Sequence, residues 1–154
     1  MKITIKCIVA ALLLCCNNIF TSCNKRENIS SVPQMVRTEL LRTTQSWNGE
    51  ELPDYPQGKP ELVAVKYEIP AGEKLGWHHH IAMNHGVLVQ GELTIIGLDG
   101  KNTTLHAGDV VVEMVDSIHY GENRGKEPVV LYMFYLSQEG GLPLSVPNPE
   151  IPME

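Results

Sequence analysis

Four of the six histidines in this 154-residue chain lie between positions 78 and 85. In a β-strand successive side chains alternate faces, so His78 and His80 share one face and His79 points the other way. Two imidazoles on one face make half of a metal site, one that suits Zn, Fe, Cu, Ni or Mn equally well. The plain alternative is a surface run of histidines. Residues 24–154 contain no cysteine, so neither thiolate ligation nor thiol catalysis is open to them. The other candidates read more simply: His106 precedes the turn Ala107-Gly108-Asp109 and is expected in solvent, and Trp77 is expected to pack. Glu113 is the only charge in the apolar run Val110–Val115. It is either the polar tooth of a half-exposed strand or a carboxylate accepting the outward N–H of a metal-bound imidazole.

The elements that must position these residues are short strands. Thirteen glycines and ten prolines favour many turns over long helices. After Pro60, strand-like runs cover 62–69, 75–81, 87–90, 93–98, 103–105, 110–115 and 129–136, and Asp99-Gly100 is a hairpin turn. The runs 110–115 and 129–136 are the most apolar and are expected to be the most buried. Residues 36–44 fit an edge strand or a helical turn. Residues 48–60 form a proline-rich loop, from which Trp47 and Tyr55 could cover one mouth of a barrel. This pattern is all-β, a sandwich, jelly roll or small barrel.

The stretch Gly72–Gly91 resembles the first signature of the cupin superfamily: Gly, five residues, His-any-His, three or four residues, Glu, six residues, Gly. Gly72, His78, His80 and Gly91 fall in register, and Asn84 occupies the Glu position. Residues 108–123 resemble the second signature, with Gly108, His119 and Asn123 in place and Met114 and Asp116 standing for its Pro and Gly. The inter-motif stretch, 92–107, has a length typical of compact cupins. The resemblance covers roughly 61–136. It implies a double-stranded β-helix, or jelly-roll barrel, holding one divalent transition metal (Fe, Mn, Ni or Zn) on His78, His80 and His119. Asn84 is then the candidate for a fourth ligand, ahead of His85, which has the wrong parity unless a bulge intervenes. With an amide in place of a carboxylate, the centre would be positive and open, suited to a small anionic molecule. The resemblance suggests dioxygenase-like or Lewis-acid chemistry, or else a non-catalytic binding module, and it allows a homodimer.

The first 22 residues read as a signal peptide: Lys2 and Lys6 precede the apolar run 8–14, which is too short to span a bilayer. Phe20-Thr21-Ser22-Cys23 resembles a bacterial lipobox, so Cys23 is the expected lipidation site and 23–35 a polar tether to a single domain, 36–154. The expected location is a periplasm-facing membrane, through the lipid anchor, or a soluble periplasmic protein if Cys23 is incidental. Residues 23–154 hold ten basic and 18 acidic residues, a net charge of −8. That charge lacks the basic stripe needed for nucleic acid, so none is expected as a partner.

Overall fold

The computed structural model describes residues 34–141 and 143–153. The chain divides into residues 1–37 and 38–154, and the second unit carries every strand described below. The expected signal segment, Cys23 and nearly all of the 23–35 tether lie outside the described residues.

Nine strands follow in order: β1 Pro60–Ile69, β2 His78–His80, β3 Met83–Gln90, β4 Glu92–Gly97, β5 Asn102–His106, β6 Val110–Val112, β7 His119–Glu122, β8 Val129–Gln138 and β9 Ser145–Pro147. They form two sheets, β1-β8-β3-β6 and β5-β4-β7-β2-β9, whose named pairs are all antiparallel. This is the all-β, double-stranded β-helix expected from the sequence.

The alternation in β1 and β8 explains their places. The two strands pair without a slip from Pro60 opposite Gln138 to Ile69 opposite Val129. Val129, Leu131, Met133 and Tyr135 point inward, with Leu88, Leu93, Ile95 and Val111 completing the core. A one-residue slip would turn this whole set outward, so the buried face fixes the register. The apolar run 129–136 is therefore not buried on both faces. Tyr132 and Phe134 lie on the outer side and are exposed.

Turns act at two places that matter to the site. Gly91, at φ 83°, turns β3 into β4, and an added Cβ would meet Pro128 O at 2.9 Å. Asp116 has φ 59° and is the only non-glycine among the described residues with positive φ. It stands where the cupin signature has glycine, and Asp tolerates this left-handed region better than most residues. Buried Asn123, the last matching residue, is a latch. Its Nδ2 donates to Ile69 O, Pro70 O and Glu127 O at 3.0, 3.0 and 2.9 Å, and its Oδ1 accepts from Gly125 N.

Three expectations change, and the tail adds a strand. The run 75–81 is strand only at His78–His80, because the chain bends at Ile81-Ala82 and crosses from one sheet to the other. Strand β6 stops at Val112. Residues 36–44 form neither a strand nor a helical turn. The tail supplies β9, which pairs with β2 through His78–Pro147, His79–Val146 and His80–Ser145.

Candidate metal centre

Two short strands bring three imidazoles together. His78 and His80 come from β2, and His119 opens β7, where it pairs directly with His78. The ring centroids are 5.1 Å apart for His78–His80, 4.6 Å for His78–His119 and 5.1 Å for His80–His119. One ligand atom from each ring lies within 4.8 Å of the other two.

The outward nitrogens are tied to the backbone. His78 Nδ1 lies 2.8 Å from Gly76 O, His80 Nδ1 3.1 Å from Leu144 O, and His119 Nδ1 2.8 Å from Ser117 O. A carbonyl only accepts, so each Nδ1 carries the proton and each Nε2 lone pair is left for the centre. Burial lowers the pKa of all three, that of His80 to about 3 with the neighbouring imidazoles adding to the effect. The rings are therefore neutral at pH 7, the form that ligates metals.

Glu113, directly after β6, lies beside this cluster, next to His119. It is buried, and its Oε2 lies 3.3 Å from Nε2 of His119. Neither of these two atoms has a hydrogen-bond partner. Burial raises the Glu113 pKa to about 7, against the opposing pull of His78 and Trp47. The expected role as acceptor of an imidazole's outward N–H is not the one the geometry provides. Backbone carbonyls already take all three of those protons, and Glu113 faces the inner nitrogen instead.

Two orphaned buried atoms facing each other, beside three oriented imidazoles, fit a divalent metal. Such buried groups are costly to leave unpaired, and a cation between them would satisfy both. His78, His80 and His119 could hold it with nitrogen, and Glu113 stands beside them with oxygen.

The other candidates sit as follows. Asn84 is fully buried on β3; its Nδ2 donates to Ala82 O at 3.1 Å, and its Oδ1 has no partner. His85 is turned outward and exposed, its ring 5.7 Å from that of Phe134, so no bulge brings it inside. His79 bonds Asn148 Oδ1 at 2.9 Å, and His106 is exposed beside Glu92 and Asp109. Trp47 packs against the core, whereas Tyr55 is exposed.

A cavity of about 300 Å³ opens beside the histidines, lined in part by Trp77, His80, Glu113, Met133, Tyr135 and Pro147. Tyr135 and Tyr67 also line it, with their hydroxyls 3.1 Å apart. Sequence reasoning missed this pair and the tail. The signal for Tyr135 was its parity with Leu131 and Met133. The tail carried no local signal at all.

Residues 65–135 match the family model described as "Cupin domain". A comparison with curated proteins gives no match. Among solved structures, the DMSP lyase DddQ from Ruegeria pomeroyi is similar at 21% identity and a TM-score of 0.51, over 59% of this chain and 45% of that one. The oxalate decarboxylase of Lactobacillus farciminis gives 22% identity and a TM-score of 0.47, over 56% of this chain and 26% of its own. An uncharacterized double-stranded β-helix protein from Klebsiella pneumoniae gives 19% and 0.47, over 61% and 88%. The chain thus spans less than half the length of the first two, and the likeness to the lyase concerns the fold. Residues 65–135 thus resemble a cupin domain in sequence, and the two antiparallel sheets give the chain the double-stranded β-helix fold.

Proposed function

We propose that this domain holds one divalent transition metal on His78, His80 and His119 and there binds or transforms a small anionic molecule. The convergence of three Nε2 atoms, each fixed by a carbonyl behind it, carries this reading. Once bound, such a metal supplies Lewis acidity, or redox chemistry if it is iron or manganese. The chain's own groups do the rest. The carbonyls of Gly76, Leu144 and Ser117 hold the rings, Glu113 offers a carboxyl oxygen beside them, and Tyr67 and Tyr135 offer hydroxyls to a bound molecule. Leu75, Leu131 and Met133 give the cavity an apolar wall that excludes water from a ligand's carbon skeleton. That wall equally suits a non-catalytic binding module.

In the same proposal the domain is exported, with a signal peptide over 1–22 and a lipid on Cys23 holding it to a periplasm-facing membrane. The sequence around Cys23 supports this. The apolar outer face of the four-stranded sheet, with Leu62, Tyr132 and Phe134 exposed, supports a homodimer.

Spectroscopy of protein reconstituted with Co²⁺ tests the site reading. Small carboxylates are expected to shift the cobalt absorption bands, and a His119→Ala variant is expected to lose them. Unchanged bands across a carboxylate panel would count against anion binding. Turnover of any shifting ligand would favour the enzyme over the module.

A further inference from the structure

The cupin signature places a glutamate at the position this chain fills with Asn84. A neutral amide is a weak ligand for a transition metal. Asn84 is also engaged, since its Nδ2 donates to Ala82 O.

Strands β3 and β6 pair with His85 opposite Val112, Gly86 opposite Val111 and Val87 opposite Val110. The next step along the same ladder sets Asn84 opposite Glu113, where Glu113 N donates to Asn84 O at 3.2 Å. Directly opposed residues in an antiparallel pair point to the same face, with Cβ atoms about 5 Å apart. Both side chains are buried, so that shared face is the interior. Glu113 therefore reaches the cavity from the strand beside that of Asn84. Its Oε2 is 3.3 Å from His119 Nε2, has no hydrogen-bond partner, and lines the cavity with His78 and His80. A buried carboxylate oxygen without a donor is rare unless a cation completes it.

We infer that Glu113 is the fourth protein ligand of this centre, a carboxylate transposed from β3 to the end of β6. The inference rests on the three-histidine reading above and adds a specificity determinant to it. A divalent ion with three neutral imidazoles and one carboxylate keeps about one net positive charge instead of two. The centre is then less attractive to doubly charged anions than the histidines alone would make it, and suits a monoanion. It also leaves one fewer position for exogenous ligands.

The test is Co²⁺ binding to tag-free protein, followed by absorption spectroscopy and chelator competition. The variants are Glu113→Gln, which is nearly isosteric, and Glu113→Gln combined with Asn84→Glu. Glu113→Gln is expected to bind roughly tenfold or more weakly, by the scale on which partners of a metal site act, and to show displaced cobalt bands. The double variant is expected to regain most of the affinity, because it returns a carboxylate to the same face from the neighbouring strand. Unchanged affinity and bands in Glu113→Gln would overturn the inference and leave the three-histidine centre standing. Weaker binding with unchanged bands would also overturn it, since that marks a charge acting at a distance. Failure of the unaltered protein to bind Co²⁺, or a His119→Ala variant that binds as well as the unaltered protein, would instead remove the three-histidine reading and this inference with it. Matching thermal transitions of the metal-free variants establish that each is folded.

Discussion

Ending the chain at Gly141 removes β9 and with it the frame that holds β2. Strand β2 would lose its pairing with Ser145, Val146 and Pro147, the Leu144 carbonyl behind His80 Nδ1, the Asn148 oxygen beside His79, and the bond from Asn148 N to Trp77 O. What remains is the His78–His119 pair and a bridge from His80 to Val115. Loss of the acceptor behind a metal-bound imidazole typically costs 10–100-fold in affinity, about 1.4–2.7 kcal/mol. The lost backbone bonds add roughly 0.5–1.5 kcal/mol each against the fold. The truncated protein should therefore bind Co²⁺ or Zn²⁺ at least about tenfold more weakly, measured by chelator competition. Ending the chain at Pro149 is the control. It spares every one of those contacts and, among the described residues, removes the bonds from Trp77 Nε1 to Pro152 O and from Asn148 Nδ2 to Glu150 Oε1 and the turn at Ile151, so its affinity should stay within about threefold. A chain ending at Gly141 that keeps its circular dichroism and binds metal as the full chain does would refute the role given to the tail.

Other expected outcomes concern stability. In metal-free protein His80, with a folded pKa of about 3, is destabilising as pH falls from about 6.5, because the unfolded chain then binds the extra proton. Glu113, raised to about 7, acts with the opposite sign between about pH 4.5 and 7. Three imidazoles held neutral by burial act one way and one carboxyl the other, so the imidazoles set the sign. Urea unfolding in chelator should show lower stability at pH 5 than at pH 7, and equal stability would contradict the burial of the neutral rings. Leu88→Ala, at a fully buried position, should cost about 3–5 kcal/mol by the same measurement. At Asp116, Gly should change stability by less than about 1 kcal/mol, while Val should lose about 1–2 kcal/mol more, because a β-branched residue resists positive φ.

The barrel was legible in the sequence because its information is local. Alternation in 62–69, the Asp99-Gly100 turn and the spacing of His78, His80 and His119 are each readable within a short window. The break at Ile81-Ala82 was not, because the apolar pattern continues through the bend and only the second sheet shows where the chain goes. The tail pairs with residues some seventy positions earlier, and a segment with prolines at 143, 147, 149 and 152 gives no strand signal of its own. For the same reason the Asn84 substitution was visible while its compensation was not. Glu113 lies opposite Asn84 only once β3 and β6 are in register. The Tyr67–Tyr135 contact needed β1, β8 and the cavity together.

The three-histidine centre is tested most directly by elemental analysis of protein purified without a histidine tag, beside His78→Ala, His80→Ala and His119→Ala variants. One divalent transition metal per chain is expected in the unaltered protein, as purified or after reconstitution, with most of it lost in each variant. Metal-free protein that takes up none on reconstitution, or variants that keep a full complement, would contradict the assignment.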